Sequence, residues 1–282
     1  MMLQVRGRAA YAYTGGKPCD PTRPTVVFVH GALHDHSCWN LLARWCAHHG
    51  YAVLALDLPG HGRSEGPPCT DIEQLAQWVL ELLDAAGVGS ASLVGHSTGS
   101  LTVLEAAARA PERAERLVLM GTAYPMQVSE SLLATARDDP LRAIDLVNSW
   151  SYSSIAAKPS FPGPGNWLRG GNRALMRRNQ AGWRGGNLFH LEFSMCDRYR
   201  GGEAAAARVQ GPVACILGEA DQMTPTRSGR ALAKLLGATL HTVPAGHNLM
   251  VEAPAEVLAV LRAALAMPRA AIAQVNRAAA PA

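Results

Sequence analysis

A chain of 282 residues with 48% hydrophobic and 17% charged side chains has a globular composition, which excludes the disordered and fibrous classes. Its formal charge of +4 comes without a Lys/Arg block able to track phosphates, so nucleic acid is not an expected partner. The N-terminus carries no long apolar core after its charges, and no apolar run elsewhere approaches membrane-spanning length; the sequence therefore reads as cytoplasmic, without membrane association. Six cysteines (Cys19, Cys38, Cys46, Cys69, Cys196 and Cys215) lack any Cys-x-x-Cys spacing, which argues against a zinc knuckle or a disulfide framework and for buried small apolar residues.

The predicted elements alternate in type along the chain. Leu3 to Tyr13, followed by Thr14-Gly15-Gly16, suits an edge hairpin. Thr25 to Val29 reads as a buried strand, Cys38 to His48 as a helix, Tyr51 to Leu56 as a strand and Thr70 to Ala86 as a helix. Ala91 to Val94 leads into a helix after Ser97, and Arg116 to Met120 is another strand. The alternation breaks between Pro125 and Gln210. It resumes with the strand Val213 to Leu217, a helix near Thr226 to Leu236, the strand Thr239 to Val243 and a helix from Pro254 to Met267. Strands apolar on both faces, separated by helices, imply a mostly parallel central sheet covered on both sides, an α/β class. The expected organisation is a core of residues 1–124 and 211–267, an inserted, mainly helical lid over 125–210, and a flexible tail over 268–282.

The lid segment holds eight of the sixteen aromatic residues, namely Trp150, Tyr152, Phe161, Trp167, Trp183, Phe189, Phe193 and Tyr199. They can wall an apolar pocket or form the lid's own small core. The same segment carries eleven Lys/Arg against seven Asp/Glu; this excess either attracts an anionic substrate or lies on solvated helix faces.

The segment Leu93-Val94-Gly95-His96-Ser97-Thr98-Gly99 sets a serine between two glycines where an apolar strand gives way to a helix, the pattern of a nucleophile elbow. A serine hydroxyl is a poor nucleophile at neutral pH and requires a histidine base with a carboxylate to fix its tautomer. In an α/β sheet, such groups come from loops beyond the carboxyl ends of strands. Those loops read Gly218-Glu219-Ala220-Asp221 and Pro244-Ala245-Gly246-His247, which points to Asp221 and His247, with Glu219 the rival carboxylate. His30, His61 and His96 flank glycines and read as loop-shaping residues. His48, His49 and His241 fall within or at the ends of elements. The amides of Ala32 and Thr98 are the expected oxyanion donors. His30, Leu33, His96, Trp150 and Trp167 are candidate substrate contacts, while Asp35 to Ser37 suit either a substrate contact or a helix cap.

These segments together resemble the α/β-hydrolase superfamily over nearly all of residues 25 to 265. The matching pieces are Val29-His30-Gly31, Asp57-Leu58-Pro59-Gly60-His61-Gly62-Arg63-Ser64, Gly95 to Gly99, Gly218 to Pro225 and Gly246-His247. The resemblance implies a triad of Ser97, Asp221 and His247 with a cap over 125–210, working without metal or organic cofactor. It further implies a serine hydrolase acting on a small or medium carboxylic ester, thioester or lactone with an apolar acyl group. Its alternatives are a C-C bond hydrolase or acyltransferase on the same triad and, in another class, a receptor-like homologue with little turnover. Dehalogenases and epoxide hydrolases of this superfamily place an aspartate where Ser97 stands, which argues against both. Oligomeric state is not legible in the sequence.

Overall fold

A computed structural model describes residues 1–153 and 167–268. In chain order the elements are β1 (Met2–Val5), β2 (Arg8–Tyr13), β3 (Thr25–Val29), α1 (Asn40–His48), β4 (Ala52–Leu56), α2 (Ile72–Ala85), β5 (Ala91–His96), α3 (Thr98–Arg109) and β6 (Ala114–Met120). There follow α4 (Glu130–Asp138), α5 (Pro140–Trp150), α6 (Leu168–Gly182), α7 (Leu188–Arg198), α8 (Gly202–Ala206), β7 (Val213–Gly218), α9 (Thr226–Leu235), β8 (Thr239–Val243), α10 (Leu249–Glu252) and α11 (Pro254–Ala266). Phe161 and the tail beyond Pro268, both singled out in the sequence, lie outside the described residues.

One eight-stranded sheet runs in the order β1-β2-β4-β3-β5-β6-β7-β8. β2 runs antiparallel to both its neighbours, β1 and β4, while β4 through β8 run parallel to β3. The hairpin turns at Arg6-Gly7, both at positive φ (52° and 72°), the backbone a tight two-residue hairpin requires. Gly15 and Gly16 instead end β2.

The central strands explain why they read as unbroken apolar runs. Val27 and Val29 of β3, Leu93 of β5, Leu117 and Leu119 of β6 and Cys215 of β7 face one core with α2, α3 and α9. Their neighbours Val26, Phe28, Val94, Val118, Met120 and Ile216 face the other, with α1 and α11. Side chains alternate across a strand, so burial on both faces demands apolar residues at every position. Full burial of each such Val, Leu or Ile contributes about 1.5–3 kcal/mol.

The segment between β6 and β7 builds a third core. Leu132, Ala136, Ala143, Ile144, Val147, Met176, Leu188, Phe189 and Phe193 pack together, and Ala32 and Leu33 from the loop after β3 join them. Phe189 and Phe193 stack with ring centroids 4.2 Å apart. Most described aromatics of this segment therefore serve packing, and Leu33 anchors the loop after β3 in the third core.

Candidate active site

The carboxyl end of β5 is where the chain turns most sharply. Ser97 follows His96 with φ 53° and ψ −122°, a region costly for a residue with a Cβ, by about 1–3 kcal/mol. Its N–H donates to the Met120 carbonyl at 3.0 Å, and α3 begins at the next residue. The flanking glycines are required sterically. A Cβ on Gly95 would lie 2.2 Å from the Gly99 carbonyl oxygen, and one on Gly99 would lie 2.2 Å from that of Val29. Strand, helix and neighbouring strand thus meet backbone to backbone, and Ser97 alone in the run from Ala91 to Ser100 is incompletely buried.

Two loops beyond β7 and β8 converge beside it. Asp221 Oδ1 accepts the N–H groups of Met223 and Thr224, each at 2.8 Å. Its Oδ2 accepts the Thr224 hydroxyl at 2.7 Å and lies 2.9 Å from His247 Nδ1. A carboxylate accepts only, so His247 Nδ1 carries the proton and Nε2 keeps its lone pair, a tautomer inferred from the network. Burial pushes the Asp221 carboxyl up, but the adjacent His247 imidazole and the hydrogen bonds from it and from Thr224 outweigh burial, and the net pKa is lowered. Glu219 points away into solvent, and the offset of two residues separates the rivals.

The His247 loop is itself held. Gly246 N–H donates to Glu252 Oε2 at 2.6 Å, and a Cβ on Gly246 would lie 2.7 Å from the Ser153 amide nitrogen. His96 Nε2 lies 2.9 Å from the His247 carbonyl, which only accepts, so His96 donates from Nε2. Burial, with His247 and His34 beside it, drives the His96 pKa well below the ordinary histidine value. His96 is neutral and fixes the backbone of His247.

The loop after β3 completes the arrangement. A Cβ on Gly31 would lie 3.0 Å from Ser97 Cβ, so this glycine allows the Ala32 amide to approach the serine. Among the described residues no protein group accepts the Ala32 N–H, and Thr98, in the first turn of α3, has no i−4 carbonyl to bond.

Ser97, His247, Ala32, Thr98 and His96 line one cavity of about 230 Å³. Its remaining wall is mostly apolar, with Met126, Val128, Leu132, Val147, Trp150, Met176 and Phe193. Three expected substrate contacts lie outside that wall. Leu33 is fully buried in the third core. The His30 ring is equally buried: Nδ1 bonds the Gly31 carbonyl at 2.8 Å and Nε2 accepts Leu58 N–H at 3.1 Å, while burial lowers its pKa to about 4. Trp167 sits before α6 with 55% of its surface exposed. His34, Met126, Met176 and Met223 line the cavity without having been singled out; the signal for His34 was its place two residues beyond Ala32.

Asp35, His36 and Asp57 bring ligand-type atoms within 4.8 Å of one another, but those atoms are already partnered. Asp35 Oδ1 caps the short turn at Ser37 and Oδ2 pairs with Arg178 at 2.6 Å. Asp57 Oδ1 takes both His36 N–H and Nδ1, and Oδ2 takes Arg63 N–H. The cluster is a hydrogen-bonded loop brace, which resolves the expectation for Asp35 to Ser37 in favour of the cap.

A parallel sheet wrapped by helices, with a strained Ser at the end of a central strand beside an Asp-held His, defines an α/β enzyme of the hydrolase type. The chain belongs to the alpha/beta hydrolase family, whose model matches residues 26–260. It is 26% identical over 249 residues to a putative non-heme haloperoxidase of Mycobacterium phage D29, covering 83% of this chain and 84% of that protein. A thermophilic esterase superposes with a TM-score of 0.76 at 24% identity, covering 93% of this chain and 95% of that one. The enol-lactonase from Burkholderia xenovorans LB400 gives 0.75 at 22%, covering 95% and 100%.

Proposed function

We propose that the protein is a serine hydrolase cleaving a small or medium carboxylic ester, thioester or lactone with an apolar acyl group. The observation that carries this reading is that Ser97 and an Asp221-held His247 line the same, mostly apolar cavity. In the proposed cycle His247 Nε2 takes the Ser97 proton as Oγ attacks the carbonyl, and the amides of Ala32 and Thr98 hold the resulting oxyanion. His247 then returns the proton to the leaving alkoxide or thiolate, giving an acyl-enzyme. Water, deprotonated by His247, attacks that ester and releases the carboxylic acid and Ser97. Asp221 keeps the tautomer that lets Nε2 act as base and stabilises the imidazolium. The apolar wall excludes water and takes the acyl chain, with the helical segment 125–210 as a cap on the core of 1–124 and 211–267. No step requires a metal or organic cofactor. Six free thiols support a reducing, cytoplasmic setting for it.

The test is turnover of p-nitrophenyl esters of increasing acyl length by the wild type and by Ser97→Ala. Sustained turnover that Ser97→Ala abolishes, with an optimum in chain length, supports the proposal. A single burst without turnover, or activity retained in purified Ser97→Ala protein, overturns it, and transfer to added alcohol in preference to water redirects it to an acyltransferase.

A further inference from the structure

The loop that carries the Ala32 amide is held in an unfavourable shape from the other side of the cavity. Leu33 has φ 56°, a left-handed conformation that costs a bulky residue about 1–2 kcal/mol. Two buried side chains of the helical segment grip its peptide groups. Glu192 of α7 accepts the Leu33 N–H at Oε2, 2.8 Å away. Asn179 of α6 donates from Nδ2 to the Leu33 carbonyl at 3.0 Å. Both are 2–3% exposed, and the Leu33 side chain is buried in the core that α4 to α7 form.

Each grip has a second hold on the loop after β4. Glu192 Oε1 forms an ion pair with His61 Nε2 at 3.1 Å, without the alignment of a hydrogen bond, while His61 Nδ1 lies 3.1 Å from the Pro59 carbonyl. Asn179 Oδ1 accepts the Gly62 N–H at 3.2 Å. Burial opposes charge on both partners, yet their mutual attraction prevails: the His61 pKa is raised and that of Glu192 lowered. A charged, buried pair is costly to build and persists where its geometry is fixed by further hydrogen bonds, which Leu33 and Pro59 supply here.

We propose that Glu192 and Asn179 are positioning residues that hold the peptide groups on both sides of Leu33, and so aim the preceding Ala32 amide at the oxyanion formed on Ser97. The proposal rests on the acyl-transfer reading above, because Ala32 matters only if an oxyanion forms. Fixing Leu33 N–H fixes the Ala32–Leu33 peptide plane, which leaves Ala32 little freedom to swing its own N–H. The helical segment then completes the reaction centre as well as walling it. An oxyanion donor misplaced by an ångström is a weak donor, and the loss falls on the transition state because the ground-state carbonyl depends on it less.

The experiment compares wild type, Glu192→Ala, Glu192→Gln, Asn179→Ala and Ser97→Ala. Readouts are kcat and KM on a p-nitrophenyl ester, inhibition by an alkyl boronic acid that forms a tetrahedral adduct, and binding of the matching planar carboxamide. Glu192→Ala and Asn179→Ala are expected to lower kcat by about 10- to 100-fold, a fraction of the loss of a whole oxyanion donor. Boronic acid affinity should fall in parallel, with KM and carboxamide affinity within about threefold of wild type, as expected when only transition-state contacts are lost. Glu192→Gln keeps an acceptor for Leu33 N–H and should recover at least about tenfold of the Glu192→Ala loss, since that acceptor is the hydrogen-bonding group it retains. The idea is overturned if kcat stays within about twofold in both alanine variants, or if boronic acid and carboxamide weaken equally, the signature of plain structural damage. Should Glu192→Ala fail to fold, Asn179→Ala carries the same comparison. Turnover that survives in Ser97→Ala removes the acyl-enzyme reading itself, an outcome separate from failure of the Glu192 and Asn179 arms.

Discussion

Replacing Asp221 by Asn tests the site through proton placement, with almost no change of shape. Asp221 Oδ1 receives two backbone N–H groups, from Met223 and Thr224, so an asparagine must put its carbonyl oxygen there. Its NH2 then takes the place of Oδ2 and faces His247 Nδ1. Two donors cannot face each other, so the imidazole moves its proton to Nε2 and loses the lone pair that accepts the Ser97 proton. The hydroxyl of Thr224, 2.7 Å from Oδ2 and 3.2 Å from His247 Nδ1, can turn to accept from the new amide and so stabilises the wrong state. Enforcing the wrong tautomer in a triad costs about 10⁴ in kcat, or about 5.4 kcal/mol of barrier. Asp221→Ala should cost no more than Asp221→Asn despite deleting more atoms, because an empty space does not forbid the Nδ1–H tautomer. Steady-state kinetics at neutral pH on the best p-nitrophenyl ester give both numbers. An Asp221→Asn enzyme within tenfold of wild type, or an Ala variant far worse than Asn, refutes the tautomer argument.

Gly95→Ala drives a methyl to 2.2 Å from the Gly99 carbonyl, and urea unfolding should report a loss of about 3 kcal/mol or more, at the upper end for overpacking; a loss under about 1 kcal/mol means that strand and helix are not locked together there. Trp150→Ala removes a ring from the cavity wall and should lengthen the preferred acyl chain while Ser97 remains reactive; an unchanged profile across the ester series places the acyl group elsewhere. The Glu192–His61 pair makes a signed pH prediction. The His61 pKa is raised from 6.5, so its contribution is complete below that value and fades as pH climbs through the raised one. The Glu192 pKa is lowered from 4.5, so its contribution is complete above that value and fades as pH drops through the lowered one. The stability deficit of Glu192→Gln should therefore peak between pH 4.5 and 6.5; a deficit that grows steadily above that range contradicts a charged pair.

The features legible in the sequence are those written in local chemistry. Gly95 and Gly99 are glycines because backbone passes within van der Waals distance of both, and that constraint survives any reading of the rest of the chain. The central strands were visible because burial on two faces leaves little room for polar residues, and helix ends shifted by only a residue or two, as at Ile72–Ala85 against Thr70 to Ala86. Asp221 and His247 come together because each lies in the loop a few residues beyond one of two neighbouring parallel strands, β7 and β8. Glu192 was invisible for the opposite reason. It meets Leu33 across 159 residues, and its own helix reads as an ordinary amphipathic one. Leu33 and Trp167 lie outside the cavity wall, because a place beside Ala32 in the oxyanion loop and aromatic character do not say which way a side chain points. Leu33 points into the third core, and Trp167 points into solvent.

The charge excess of the helical segment does not extend to the cavity. Arg173 and Arg177 both engage Asp145, Arg178 engages Asp35, and Arg137 engages Asp138. Among the described residues no Lys or Arg lines the cavity wall. The histidines that do include His34 and His96, whose burial lowers their pKa values and keeps them neutral. An acyl chain carrying a carboxylate would have to shed its hydration against methionine, valine and phenylalanine with no cation to receive it, at a cost of several kcal/mol. An apolar chain gains about 0.8 kcal/mol for each methylene it buries there. On the proposed reading, then, the arginines would act only at long range, screened within about 8 Å at physiological salt, and the apolar wall would select the acyl group.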